Sequence, residues 1–463
     1  MISYYNFKRF SDDTYLLTND LGDYCFLPVG EFEKLVCHRD ELSEQSIEAL
    51  TASRMLINGS FHHFVDANVP YARDCKNYVF TATSLHIFVV TTRCNHRCIY
   101  CQANDGQPLY DVMDAATAER AVDIALQSPA LQLSFEMQGG EPLLNFPVIK
   151  HIIEYSEEKK GAKQISFSVV SNLTLLTDEM IGFFCEHKVS VSTSVDGDEM
   201  LHNLNRPYAN GKGSFRDVMR SVERARAAGL QIGAIQTTTR MSLPKATEIV
   251  DAYCRYGFSS LFVRSLTPLG CAKRRRETIG YSEEEYVRFY IEVFEEILNK
   301  NRQGQHIQEN YAAILLSNIL QKYPANYMEL RSPCGAGIGQ MAYYTNGDVF
   351  TCDEGRMLFE MGNDSFRLGN VFDNSYHDLI MAPACRAICL ASTTESVPSC
   401  CDCVYQPFCG LCPVVNLALY GDLIPKEPNH YRCKINTGIL DFLFSLIQAN
   451  DDNTMNILYS WRL

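Results

Sequence analysis

Cys94, Cys98 and Cys101 fall within eight positions in the stretch TTRCNHRCIYCQ, directly after the apolar run LHIFVV. Thiolates hold iron–sulfur clusters, and a cubane cluster has four irons. Three cysteines on one loop would ligate three irons and leave the fourth open to a substrate or cofactor. The same residues suit two other arrangements: a three-sulfur zinc site completed by His96, or unconnected buried thiols. Zinc knuckles usually pair two C-x-x-C hooks, and no second hook lies nearby in the sequence.

A second cysteine field lies downstream. Cys334 and Cys352 come first, then Cys400, Cys401, Cys403, Cys409 and Cys412, and finally Cys433. A scatter of structural thiols would rarely reach this density at metal-ligand spacings. Asp353 follows Cys352 and precedes Glu354. Residue type alone leaves a general base and a solvated turn aspartate equally open. Between the two fields stands QGGEPLL, with Gly139, Gly140 and Glu141. Glycines at a strand end let backbone approach a ligand closely; taken alone, the run reads as a turn.

The chain of 463 residues has room for two to four domains. Its net charge of −14 argues against a nucleic-acid partner, which would favour a basic protein. No apolar run approaches the ~20 residues of a membrane span, and the first residues carry no signal-peptide core. A cytoplasmic protein is expected. Nineteen cysteines in a reducing compartment do not read as a disulfide framework.

Residues 1–84 read as a small α+β module with a linker over 61–84. TYLLTN and YCFLP form a hairpin, followed by two helices. From residue 85 a strand–helix rhythm sets in, with strands expected at LHIFVV, LQLSFEM, QISFSVV, VSVSTSV, QIGAIQTTT and SLFVRSL. Six such units predict a parallel sheet covered by helices. Rhythm does not separate an open sheet from a curved partial barrel. Both put chemistry at the carboxyl ends of the strands. Two helices are expected before residue 325, a loop-rich cysteine domain over 326–440, and a helical tail over 441–463.

The spacing of three and then two residues between Cys94, Cys98 and Cys101, after a first strand and with GGEP after the second, resembles the radical S-adenosylmethionine (SAM) superfamily. STSVDGDEMLHNLNR after the fourth strand is similar to a pattern of its peptide-modifying members. The resemblance implies an α/β fold with a partial (β/α)6 barrel, flanked by the amino-terminal module and a loop-rich iron–sulfur domain. It implies a [4Fe-4S] cluster on Cys94, Cys98 and Cys101 that reduces SAM to methionine and a 5′-deoxyadenosyl radical. Gly139, Gly140 and Glu141 would contact the methionyl amino group, Tyr100 and Leu266 the adenine, and Ser194 and Arg206 the rest of SAM, with Arg206 on its carboxylate.

The second cysteine field resembles the SPASM extension, which carries two auxiliary cubane clusters, so three clusters are expected. By that likeness Cys334, Cys352 and Cys412 hold the inner cluster, and Cys400, Cys403, Cys409 and Cys433 the outer one. Two residues, not the usual three, separate Cys409 from Cys412, and Cys401 is an additional thiol. Cys385, Cys389 or Cys401 would complete the inner set, unless it stays open. Asp353 matches the base of anaerobic sulfatase maturases.

The amino-terminal module and the tail are similar to maturases of the His-Xaa-Ser peptide system. That implies a ribosomally made precursor peptide whose leader adds a strand to the module, with pockets beside Leu17 and Phe26. Rival readings are a sulfatase-type maturase forming formylglycine and a non-catalytic iron–sulfur electron carrier. The run KRRR, Lys273–Arg276, is either a solvated loop or a docking patch for the flavodoxin or ferredoxin that supplies electrons.

Overall fold

The computed structural model describes residues 1–57, 59–103, 111–321, 326–425 and 430–461. Residue 325, the expected end of the strand–helix region, lies outside the described residues. Strands β1 (Asn6–Arg9), β2 (Thr14–Thr18) and β3 (Tyr24–Pro28) form an antiparallel sheet in sequence order. Helices Val29–Cys37 and Glu44–Ala52 cover one face, where Leu17, Leu27, Phe32, Leu35 and Leu50 are buried together. The span expected as a linker contains a 15-residue helix, Phe61–Cys75. Pro70 inside it, and the lack of any buried side chain, hide it from periodicity.

The six expected strands form as β4 (Leu85–Thr91), β5 (Gln132–Gly139), β6 (Gln164–Val170), β7 (Ser190–Ser194), β8 (Ile232–Thr237) and β9 (Ser260–Arg264). Each pairs in parallel with the next. The order from β4 to β9 never reverses. A doubly wound sheet would reverse and cover both faces; winding one way leaves one face for the interior of a partial barrel. The helices between strands start at caps legible in the sequence. Asp114, Thr177 and Asp198 each accept a backbone N–H three residues on. Ser282 and Glu285 form a capping box on Glu283–Arg302.

The sheet continues past the barrel. A short β10 (Gln308–Glu309) adds to β9. At the other edge β11 (Gln340–Tyr343) pairs in parallel with β4, followed by antiparallel β12 (Asp348–Phe350) and β13 (Arg367–Asn370). The cysteine-rich region is thus hydrogen-bonded into the barrel sheet through strands the sequence reading treats as loops. Among the described residues, no helix is long and apolar enough to cross a membrane.

His86 sits at that seam. Its Nδ1 lies 2.9 Å from the Tyr343 hydroxyl, and the two rings stack at 5.8 Å. Burial pushes its pKa from 6.5 down to about 3. The folded chain keeps His86 neutral, while the unfolded chain protonates it below its ordinary value. The unfolded state therefore binds the extra proton, and stability falls as pH drops from 6.5 toward 3. Between about pH 7.5 and about pH 5.5 the wild type should lose about 1.4 kcal/mol more stability than His86→Phe, measured by urea unfolding. Equal losses would mean that His86 titrates normally in the folded chain.

Candidate active site

Beyond β4 the chain turns into the cysteine loop, which is held on two sides by backbone. On one side Gly140 N–H donates to Thr91 O and Glu141 N–H to Arg93 O, both at 2.8 Å. A Cβ on Gly139 would stand 2.1 Å from Thr91 O, and one on Gly140 would stand 2.2 Å from Arg93 O. The glycine pair is thus required by the contact between β5 and the loop, whatever ligand it also meets. On the other side Arg97 N–H donates to Pro207 O (2.8 Å), Ile99 N–H to Asn205 O (2.9 Å), and Ala209 N–H to Asn95 O (2.9 Å). This second seam carries Arg206 to the cysteines.

Arg206 Nη1 donates to the Tyr100 hydroxyl at 2.7 Å. That hydroxyl lies 2.9 Å from both carboxylate oxygens of Asp196, which also accepts Thr237 N–H at 3.3 Å. Burial raises the Asp196 pKa, against the pull of Arg206. Arg206 Nε is buried with no partner among the described residues. A guanidinium has five donors, so Arg206 keeps donor capacity that suits an anionic ligand. Tyr100 and Leu266 share one apolar cluster with Ala272 and Ile279. Two tyrosines fix Leu266: its N–H donates to Tyr281 Oη, and its carbonyl accepts from Tyr431 Oη, both at 2.6 Å. Ser194 is half-buried at the carboxyl end of β7.

Glu141 is buried and its carboxylate is fully used. It accepts from Leu143 N–H (3.1 Å), Ser171 Oγ–H (2.7 Å) and Asn172 N–H (2.7 Å). It ties the end of β5 to the end of β6 and so supports the loop.

The thiols fall into three neighbourhoods. Burial, then Cys98 and Cys101, raise the Cys94 thiol. Burial and Cys98 push Cys101 up to about 12. Burial and Cys412 push Cys334 up to about 12, and Cys352 is raised by burial, Glu354, Cys412 and Cys334. Burial, Cys409, Cys403 and Cys433 push Cys400 up to about 12. A bound cation inverts this pattern, since each thiolate's charge is then met by metal. Among the described residues, no three His, Cys, Asp or Glu side chains converge tightly enough for a single metal ion. Corner ligands of a cubane each meet a different iron and stand further apart.

Cys385 and Cys389 pair with each other, one turn apart on Pro383–Ser392. The strongest charged neighbours of the inner set are instead Glu354, Arg432 and Glu329. Asp353 is buried at the start of helix Asp353–Phe359, and its carboxylate pairs with the buried Arg356 (Nε at 3.1 Å). Glu136 on β5 belongs to the same charged neighbourhood; burial and then Asp353 raise its pKa. Arg264, ending β9, pairs with Glu329 at 3.3 Å, and Arg432 pairs with the same carboxylate. These two arginines and Glu329 line a cavity of about 60 Å³ with Tyr311, Tyr327 and Tyr431.

The outer set meets the amino-terminal module. Tyr4 Oη and Asn6 Nδ2 donate to Cys401 O, Asn6 Nδ2 also to Cys403 O, and Thr18 Oγ1 to Val404 O. Leu17 lies in the module's core, and Phe26 packs on Phe444, so neither flanks an open pocket as expected. Asp196, Glu136 and Cys271 escaped the sequence reading. Asp196 lies in the quoted VDG, and Glu136 is an acid within an apolar strand; both were signals. Cys271, whose N–H donates to Cys101 O, carried none.

Residues 88–248 match the radical SAM superfamily. The cysteine-type anaerobic sulfatase-maturating enzyme of Clostridium perfringens is 26% identical over 312 residues, 64% of this chain and 79% of that protein. Among solved structures, native anSMEcpe with bound AdoMet has a TM-score of 0.68 at 20% identity, over 82% of this chain and all (100%) of that one. SuiB of Streptococcus suis, bound to its precursor peptide SuiA, has a TM-score of 0.55 at 16% identity, over 93% of this chain and 98% of that one. Residues 88–248 carry a radical SAM domain, and the chain is an enzyme.

The glycine contact gives a direct test. Gly140→Ala places a methyl against backbone that side-chain rotation cannot relieve, so the metal-free protein should lose about 1–3 kcal/mol of unfolding free energy in a denaturant titration. Unchanged stability would mean the loop and β5 separate without cost.

Proposed function

We propose, from the radical SAM domain that the chain carries, that it cleaves SAM reductively and uses the radical to modify a ribosomally made peptide. The observation that supports this most is the Arg206–Tyr100–Asp196 chain seated against the three-cysteine loop. The cluster on Cys94, Cys98 and Cys101 supplies the electron that breaks the S–C5′ bond. The protein's own residues do the rest. Arg206 receives the SAM carboxylate, held in place by Tyr100. Tyr100 and Leu266 offer an apolar wall for adenine, and Ser194 lies at the neighbouring strand end. Glu141 keeps the loop on the sheet. The carboxylates Asp353, Glu354 and Glu136 form the proton-accepting side, with Asp353 the candidate base once it leaves Arg356.

The division of labour follows the chain. Residues 1–84 hold the leader, 85–325 cleave SAM, 326–440 carry two auxiliary clusters, and 441–463 close the fold. Cys334, Cys352 and Cys412 would hold the inner cluster, with Glu354 and Arg432 as charged neighbours of these thiols. The outer one takes Cys400, Cys403, Cys409 and Cys433. A sulfatase-type maturase is the second reading, favoured by the name of the Clostridium perfringens relative. Co-expression with a short peptide encoded beside this gene separates them: a mass change on that peptide supports our reading, and formylglycine on a sulfatase peptide alone would overturn it.

Three cubanes require about 12 irons per chain after anaerobic reconstitution. Replacing Cys94, Cys98 and Cys101 by Ala should remove about four irons and all 5′-deoxyadenosine formation. Replacing Cys400 and Cys403 should leave cleavage but stop product. Asp353→Asn should do the same without iron loss. Cleavage that survives loss of the first three cysteines sinks the proposal.

The leader site is assigned to the exposed aromatic face of the module. Phe7 is 53% exposed on edge strand β1 and lies 4.9 Å from the Phe32 ring, which stacks on Tyr15 at 4.0 Å. An added strand pairs along such an edge and sets a side chain on the rings. Phe7→Ser should weaken precursor binding by about tenfold, an anchor's worth of contact, and leave 5′-deoxyadenosine formation intact. Equal affinity in a calorimetric titration would move the leader elsewhere.

A further inference from the structure

We propose that the basic run Lys273–Arg276 is the docking face for an acidic one-electron carrier protein, and so the side on which electrons enter. The proposal rests on the radical SAM reading above, and it adds a surface to it. The run lies on two short helices, Gly270–Arg274 and Arg276–Ile279, just past the last barrel strand. The inner face of the first helix meets the cysteine loop. Cys271 N–H donates to Cys101 O at 2.9 Å, Cys271 is buried, and Ala272 belongs to the cluster of Tyr100 and Leu266. The outer face is Lys273, Arg274, Arg275 and Arg276, all exposed. Two residues of chain therefore separate a surface cation from a backbone contact with the first cysteine set.

The charges are largely uncompensated. Arg276 approaches Glu283 at 3.8 Å, and Lys273 donates to a neutral carbonyl, Ala418 O, at 2.7 Å. Arg274 and Arg275 have no carboxylate partner among the described residues, and Glu277 is the one acid within the run's immediate sequence. Over the whole chain the balance is opposite: 41 basic against 55 acidic residues, a net charge of −14. An acidic partner is thus repelled by the protein as a whole and attracted at one place. That combination selects orientation as well as raising the encounter rate. A solvated loop would need neither the backbone bond to Cys101 nor an apolar underside.

Electron balance is simple. A carrier with a flavin hydroquinone gives up one electron and is left as the semiquinone, and the chain accepts one electron at the metal centre of the first cysteine set. No bond is made or broken between the proteins.

The test uses reconstituted full-length protein and flavodoxin. Calorimetric binding of oxidised flavodoxin reports docking without any turnover. The pair Arg274→Glu and Arg275→Glu should weaken binding by about tenfold or more at low salt. The difference should shrink at about 0.5 M salt, as screening predicts. With dithionite as reductant, 5′-deoxyadenosine formation should match wild type; with reduced flavodoxin, the concentration for half-maximal rate should rise by a similar factor. Unchanged flavodoxin affinity overturns the proposal. Should the reversed pair damage the fold, Arg274→Gln with Arg275→Gln keeps the aliphatic stems and should shift affinity in the same direction; no shift there also overturns it. Wild type that forms no 5′-deoxyadenosine with dithionite would count against the radical reading alone, since the binding arm needs no turnover.

Discussion

The arrangement depends on one constraint: the cysteine loop has to be held as backbone. A loop of three thiols has no helix or strand of its own to order it, and ordering it costs conformational entropy. The chain meets that cost by clamping the loop along both edges. Thr91 and Arg93 accept from the Gly140 and Glu141 amides on one side, and Arg97 and Ile99 donate to 207 and 205 on the other. The first clamp works only without Cβ atoms on the sheet side. The second explains why a motif a hundred residues downstream bears on the first: the segment that closes the clamp is also the one that delivers Arg206. Spacing in the sequence and position in space are linked by those few hydrogen bonds.

Burial then sets the chemistry. Thiols raised toward 12, or beyond, are costly to ionise in isolation. A cluster resolves that by supplying positive charge where the protons were. The same logic covers the polar groups beside the loop. Asp196 and Arg206 are tolerable in a dry site because Tyr100 joins them. On the far side, Glu329 takes two arginines, Arg264 and Arg432, while Glu354 and Glu136 have none so close. Uneven pairing of this kind pushes carboxyl pKa values apart, which is what acid–base work on a substrate requires.

The strands of the barrel were legible because each is an apolar run between helix caps, and every one of the six appears where the rhythm puts it. The close cysteine spacings were legible because they are a short-range property of the chain. What escaped depends on tertiary contact. The helix Phe61–Cys75 buries no side chain, so no apolar stripe marks it. Strand β11 has four buried residues and no alternation, since it lies inside a sheet with neighbours on both sides. Its pairing with β4 spans some two hundred and fifty residues of chain, which no local pattern encodes. The anchoring of Glu141 to Ser171 and Asn172, which ties β5 to β6, is disclosed only by its partners.

That long pairing has a consequence for how the parts act together. With β11 in register beside β4, the barrel and the cysteine-rich region share one sheet. The outer set is fixed differently, by side chains. Tyr4, Asn6 and Thr18 hold the carbonyls of residues 401–404, and Lys8 pairs with Asp441 on the helix that carries Cys433. The amino-terminal module therefore helps to build the loop that carries the outer cysteines. Whatever binds β1 works on a strand whose inward-facing side chains already touch that loop. Strand order, carbonyl direction and charge pairing thus tie the module to the loop that carries the outer cysteines.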